Sequence, residues 1–247
     1  MKRFLYRIYQ LFVALPILLL ATALTAIVTT IGCTFGKARF WSHYPAMVWS
    51  RLMCWCLFLP VKVYGMENLN SRDSYVFVAN HQGSFDIFLI YGYIGRNFKW
   101  MMKKSLRSIP LVGKACESAG HIFVDKRGPG AIRHTYEQAR GVLRHGVSLM
   151  VFPEGSRTDT GKMGHFQRGA YLLADELQLP IVPVTIEGSF EALPRSRGFY
   201  FVERHTLSLR IHKPILPQGK GLDNVQRLME LSRVEIQKSL PEKYRDE

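Results

Sequence analysis

The stretch that decides the fold is Tyr75-Val76-Phe77-Val78-Ala79-Asn80-His81-Gln82-Gly83-Ser84-Phe85-Asp86. It opens with a short β-branched and aromatic run, the composition of a buried strand. Gly83 then breaks the run. Ser84 is a candidate N-cap for a helix reaching about Tyr93. A strand entering a helix through a short turn is the unit of an α/β domain.

Similar units follow along the chain. Val61–Gly65 alternates and stops at glycine, as a strand does. Strands are predicted at Phe98–Met102, Ile122–Val124, Val147–Phe152, Ile181–Ile186 and His205–Ile211. Helices are predicted from about Gly130 to Arg144, over Gln167–Leu177 and over Asn224–Leu240. The expected fold class is therefore α/β, with a mixed, largely parallel sheet flanked by helices over residues 61–247.

Residues 1–60 read differently, as a membrane-anchoring helical segment. Residues 8–36 carry no charge, and Leu11–Ile31 is nearly all apolar or threonine. About 20 such residues cross a bilayer core as a helix. Lys2, Arg3 and Arg7 precede the run, and it continues past the small-residue sites that mimic signal-peptide cleavage, which favours a retained anchor. A second apolar segment, Tyr44–Pro60, is rich in aromatic residues and interrupted by Arg51, whose charged head can snorkel to lipid head groups. Two topologies remain open: a helix pair inserted in one leaflet, or one span with an interfacial helix.

Thirty-three Lys and Arg against nineteen Asp and Glu leave a net charge of +14 over 247 residues. Residues 1–60 contribute +6 with no acid, and residues 96–145 contribute +8. Such a balance suits nucleic acid, an anionic membrane or an anionic substrate. The anchor, and the lack of a recognised nucleic-acid module, exclude the first. Four dispersed cysteines form neither a disulfide framework nor a zinc motif, so no metal is expected.

Two clusters can carry chemistry. His81 follows a strand and Asp86 falls in the first turn of the next helix, so the carboxylate can return to the imidazole and leave its other nitrogen as a general base. Taken alone, a satisfied loop histidine beside a capping aspartate is the plainer reading. Phe152-Pro153-Glu154-Gly155-Ser156-Arg157 follows a strand at the sheet edge where ligands of open α/β folds bind, and Arg157 offers a planar fork for phosphate. A turn with a surface ion pair fits that block equally well. Lys103-Lys104 and Asp125-Lys126-Arg127 also end strands in cations, which are most often simply solvated. There is no GxSxG elbow, P-loop or HExxH.

In order and separation these blocks resemble the 1-acyl-sn-glycerol-3-phosphate acyltransferases, over about residues 61–215. The family's NHxxxxD block is matched by Asn80, His81 and Asp86, and its FPEG[TS]R block by Phe152–Arg157. A Lys-Lys-Ser-Leu…Ile-Pro stretch is matched at Lys103–Leu106 with Ile109-Pro110, and a late apolar-proline block at Ile181–Val184. The resemblance implies transfer of an acyl chain from acyl-CoA or acyl-carrier protein to the 2-hydroxyl of 1-acyl-sn-glycerol 3-phosphate, giving phosphatidate. His81 would be the general base and Asp86 its orienting partner, with no acyl-enzyme and no cofactor. Lys103, Lys126, Arg127, Glu154, Gly155 and Arg157 would form the acceptor site. The family has Asp-Arg where this chain has Asp125-Lys126-Arg127, so either cation can take the phosphate role. Partners implied are lysophosphatidate, the acyl thioester and membrane lipids, with the site on the cytosolic face; the lack of an organellar targeting pattern and the compact length lead us to expect a bacterial inner membrane. Competing readings are acylation of another lysolipid or of glycerol 3-phosphate, and a non-catalytic adaptor for anionic lipid.

Overall fold

The computed structural model describes residues 2–124, 129–143, 146–195 and 201–245. The chain begins with helix α1 (Lys2–Tyr9), passes through a π-turn at Gln10–Ala14 and continues as α2 (Leu15–Phe35). The π-turn has a local cause. Pro16 has no N–H, and the widened turn lets Leu15 N–H bond the Gln10 carbonyl instead. Short α3 (Ala38–Trp41) and α4 (Tyr44–Cys56) complete the N-terminal segment.

The remaining elements are β1 (Val61–Tyr64), β2 (Val76–Ala79), α5 (Asp86–Tyr93), β3 (Phe98–Lys103), α6 (Val112–Ser118) and β4 (Ile122–Val124). They continue with α7 (Pro129–Val142), β5 (Ser148–Val151), α8 (Gly169–Leu177), β6 (Ile181–Glu187), α9 (Ser189–Ala192), β7 (Leu207–Ile211) and α10 (Leu222–Ser239). The described strands form one sheet in the order β1-β7-β6-β2-β5-β3-β4. From β6 to β4 every pairing is parallel, and only β6–β7 is antiparallel. The expected mixed, largely parallel sheet is what forms.

The period-2 alternation of β2 divides the core. Phe77 and Ala79 face a cluster with Leu89, Ile90 and Ile94, while Val76 and Val78 face Tyr171, Leu173, Val225 and Leu228. Both faces are covered, which is why β2 reads as a continuous apolar run rather than an alternating one. Helix α6 has no counterpart among the predicted elements; it is two turns long and carries Gly113, too short for a periodic signal.

The N-terminal helices pack on one another, and α2 and α4 also pack on α6 and α5 of the sheet domain. The Tyr6 hydroxyl donates to the Leu57 carbonyl (2.7 Å) and the Tyr9 hydroxyl to the Cys56 carbonyl (2.9 Å). The amide of Gln10, buried in the π-turn, brackets the backbone of Val202 at 2.9 and 2.8 Å. Trp49 donates its indole N–H to Thr22 (3.0 Å), and α2 packs on α6. Gly32 and Gly36 sit against the Trp41 ring, where a Cβ would collide. Phe12, Leu19, Leu20 and Phe35 lie on the outer, exposed side, as does Trp55 of α4. Arg3–Phe35 is, among the described residues, the helix long and apolar enough to cross a bilayer. Arg51, expected to snorkel, instead donates to the Gly92 carbonyl (2.8 Å) and lies over Tyr93, tying α4 to α5.

Lys99 ties the same segment to β3. Its ammonium, nearly out of contact with solvent, donates to Ser42 (2.9 Å) and to the Ala119 carbonyl (2.6 Å). Burial brings its pKa down from 10.5 to about 8. Between those values the unfolded chain holds this proton and the native chain does not, so stability rises as pH increases from about 8 towards 10.5. Lys99→Met is expected to remove that rise, which is on the order of 3 kcal/mol. Urea midpoints in detergent at both ends of the window measure it; an unaltered slope in the variant would assign the rise elsewhere.

Candidate active site

The carboxyl ends of β6, β2, β5, β3 and β4 share one edge of the sheet, and the chemically interesting residues follow those ends. At the exit of β2, the Asn80 amide both donates to and accepts from the backbone of Ile186, each at 2.8 Å. This clamp fixes the chain direction just before His81. The Nδ1 of His81 lies 2.7 Å from Asp86 Oδ2, and Asp86 is fully buried. The same carboxylate oxygen accepts the Gly83 N–H at 2.9 Å.

An ionised carboxylate at Nδ1 holds the proton there and leaves the Nε2 lone pair for a substrate. The ring is held flat as well as oriented. It stacks on Phe152 at 3.9 Å and 6°, and Phe152 stacks in turn on Trp100. With the side chain 14% exposed, His81 is reachable but largely shielded from water.

Ser84 differs from its predicted role. Helix α5 starts at Asp86 with no side-chain cap bond, because the Asp86 carboxylate itself takes the Gly83 N–H. The Ser84 hydroxyl is instead turned to Arg157, whose guanidinium donates to it. The Arg157 carbonyl accepts from Arg195 (3.1 Å), and Arg195 is also 3.6 Å from Asp159. Arg195 thus brings a further cation to the edge. It belongs to none of the four sequence blocks, so no motif marks it.

The turn after β5 is built around Gly155, at φ 76°, whose N–H closes on the Phe152 carbonyl at 3.0 Å. That left-handed conformation favours glycine. Glu154, expected from the sequence to contact the acceptor, has both oxygens engaged within the chain. One accepts the His81 N–H and the other the Gly164 N–H, each at 2.7 Å. Burial raises its pKa, partly offset by these two bonds. Its contacts therefore hold the backbone of the histidine and of the following loop.

Lys103 stands exposed at the end of β3, two strands from β2 and hence about 10 Å across the edge. Lys126 and Arg127 lie outside the described residues. His121 is a core residue: its ring bonds the Tyr91 hydroxyl and the Trp100 N–H, and burial brings its pKa down to about 3. Among the described residues no group of three or more His, Cys, Asp or Glu is arranged to hold a metal.

An imidazole oriented by a buried carboxylate, at the edge of an α/β sheet where ligands commonly bind and with cations nearby, is an arrangement chemically able to accept a proton beside an anionic molecule. Residues 60–187 match the model of the Acyltransferase family, and the chain belongs to that family. It is similar to the 1-acyl-sn-glycerol-3-phosphate acyltransferase of Saccharomyces cerevisiae, at 30% identity over 97% of this chain and 79% of the yeast protein. It is 30% identical to the chloroplastic 1-acyl-sn-glycerol-3-phosphate acyltransferase LPAT1 of Arabidopsis thaliana, over 72% of this chain but only 49% of that protein. The chain thus spans about half the length of the chloroplastic relatives. The crystal structure of the 1-acyl-sn-glycerophosphate (LPA) acyltransferase, PlsC, from Thermotoga maritima is similar with a TM-score of 0.76. That likeness has 25% identity and covers 96% of this chain and 95% of the other.

Proposed function

We propose that this protein transfers an acyl chain from a thioester donor to the 2-hydroxyl of 1-acyl-sn-glycerol 3-phosphate, giving phosphatidate. The observation that carries the reading is the 2.7 Å pairing of His81 with buried Asp86, at an edge that also bears Arg157 and Lys103. His81 Nε2 takes the proton of the 2-hydroxyl as its oxygen attacks the thioester carbonyl. The C–S bond then breaks, and the imidazolium returns the proton to the leaving thiolate. Asp86 stabilises the imidazolium between those steps. Neither a side-chain nucleophile nor a cofactor enters the scheme; holding both substrates together supplies much of the acceleration.

Arg157, Lys103 and one of Lys126 and Arg127 hold the phosphomonoester, while Gly155 keeps the turn open beside it. Glu154 acts through His81 as a positioning residue. Arg157→Ala is expected to raise KM for lysophosphatidate about 10- to 100-fold with a smaller change in kcat. Steady-state kinetics check this, and an unchanged KM removes Arg157 from the acceptor site. The donor is acyl-CoA or acyl-carrier protein.

The apolar outer face of α2 associates the protein with the membrane. We read the α1–α4 segment as inserted in one leaflet, because α2 packs on α6 of the domain and the turn before it is bonded to Val202. The site then faces the cytosol, where thioester donors are made, at a bacterial inner membrane. Impermeant cysteine labelling of each end of the segment tests this; a terminus accessible from the far side would refute it.

One assay addresses the activity as a whole. Purified full-length protein is given acyl-CoA with a panel of lysolipids and glycerol 3-phosphate, and thiol release is followed. Release with lysophosphatidate alone is expected. Release only with another acceptor would reassign the substrate, and no release with any acceptor, from acyl-CoA or from acyl-carrier protein supplied in a parallel reaction, would favour a lipid-binding adaptor.

A further inference from the structure

After β3 the chain makes a 3-10 turn, Lys104–Ser108, before α6 begins at Val112. Lys103 to Leu111 are all exposed, an unbroken run of surface residues. Their chemistry is mixed: cations at 103, 104 and 107 are interleaved with Leu106, Ile109, Pro110 and Leu111. Leu106 is 40% exposed, Ile109 43% and Leu111 53%.

This apolar tip is firmly held. The Gly113 N–H bonds the Ile109 carbonyl at 2.8 Å and the Ala115 N–H bonds the Leu111 carbonyl at 3.0 Å, so the tip is continuous with the first turn of α6. Gly113 sits so close to the Arg107 carbonyl that a Cβ would come within 2.0 Å. Leu111 is fixed at φ 61°, where leucine is rarely found. Three apolar side chains are therefore held in water by a rigid, strained turn, although burial would favour them.

Two observations identify what covers them. Helix α6, which continues directly from the turn, packs on α2, whose other side carries exposed apolar residues such as Leu19, Leu20 and Phe35. Residues 103–117 carry four basic side chains (Lys103, Lys104, Arg107, Lys114) against one acid, Glu117, which Arg107 and Lys114 share. Apolar tips ringed by excess cations suit the boundary between acyl chains and anionic head groups.

We propose that the Lys103–Leu111 turn is a second membrane-contact element, with Leu106, Ile109 and Leu111 inserted into an anionic bilayer and the neighbouring cations at its head groups. Together with α2 it seats the His81 edge of the sheet at the lipid interface. That last consequence rests on the proposed acyl transfer; the membrane contact does not.

The test uses the full chain with Cys33 and Cys116 replaced by serine and an environment-sensitive fluorophore on Ile109→Cys. On vesicles of phosphatidylcholine and phosphatidylglycerol, the label is expected to shift to shorter wavelength and to be quenched by spin-labelled lipid. The same label on Glu230→Cys, exposed on α10, is expected to stay solvent-like. A solvent-like label at 109 on vesicle-bound protein overturns the proposal. So does a shift that appears without vesicles alongside dimerisation in sedimentation, which would make the occupant a second copy.

A second measurement leaves the cysteines intact. Ile109→Gln/Leu111→Gln is expected to lower turnover of vesicle-borne lysophosphatidate about tenfold while sparing a short-chain, water-soluble acceptor. Equal loss on both acceptors, or no loss on either, contradicts it. The fluorophore needs no turnover, so the membrane contact can be sustained or refuted whatever becomes of the activity assignment.

Discussion

Replacing His81 with alanine is expected to lower turnover by about 10²- to 10⁴-fold, the range over which a positioned general base acts. The imidazole is the group whose free nitrogen remains after Asp86 has taken the other. The substitution also removes a partner from a fully buried carboxylate, which would keep only the Gly83 N–H at Oδ2. Leaving a buried polar group short of a partner costs about 1–3 kcal/mol of stability, so lost activity alone would not separate chemistry from folding. His81→Asn makes the separation. Its amide can still donate towards Asp86, which restores part of the stability, but it offers no base. Turnover is expected to remain at the level of the alanine variant while the thermal midpoint recovers. A folded His81→Asn protein with more than about a tenth of normal turnover would remove His81 from the base role.

Glu154→Gln carries the second large effect, and it acts at a distance from the substrate. The glutamate presents one oxygen to the His81 N–H and the other to the Gly164 N–H. Glutamine keeps a single acceptor and sets its own N–H₂ against one of those donors. The expected penalty is about 1–3 kcal/mol. A backbone shift of an ångström or so at His81 is enough to lower kcat about 100-fold. KM for lysophosphatidate is expected to hold, whereas loss of a direct substrate contact would raise it. A matching rise in KM would return Glu154 to the acceptor site. Stability should also respond to pH in a defined direction. Burial raises the native pKa of Glu154 above its ordinary 4.5, so its contribution is fully present below that value and is lost as pH rises through the native pKa. Glu154→Gln should be missing that segment of the profile, as measured by denaturation on the acidic side of neutrality.

The legible parts of the site were those built from neighbours in sequence. The strand, the break at Gly83 and the acid in the first helical turn lie within twelve residues, so the possibility that Asp86 meets His81 is legible locally, although only the family resemblance favoured it over a capping role. Ser84 shows the limit of such reading. Serine, phenylalanine and aspartate in succession offer two candidate caps, and neither side chain caps the helix: Arg157 claims Ser84, while Asp86 turns to His81 and the Gly83 N–H. Glu154 stands out in the second cluster, but its contacts are not legible there, because its partners are backbone N–H groups, which every residue except proline possesses. The Trp100–Phe152–His81 stack was hidden for a related reason: its rings come from within β3 and from just after β5 and β2, three segments far apart in sequence.

The class of fold, the long apolar N-terminal helix and the residues able to carry chemistry are legible in sequence, since periodicity, run length and side-chain type are local properties. The tertiary structure alone decided how these are used. It brought Asp86, Phe152 and Glu154 around one histidine through parallel pairing of β2 with β5. It docked Gln10 on Val202, 192 residues away, and laid α2 along α4 and α6. It turned Lys99 inward and Leu111 outward, against the ordinary preference of each. Those outcomes depend on which surfaces remain to be covered once the sheet has formed, and no window of sequence contains that information.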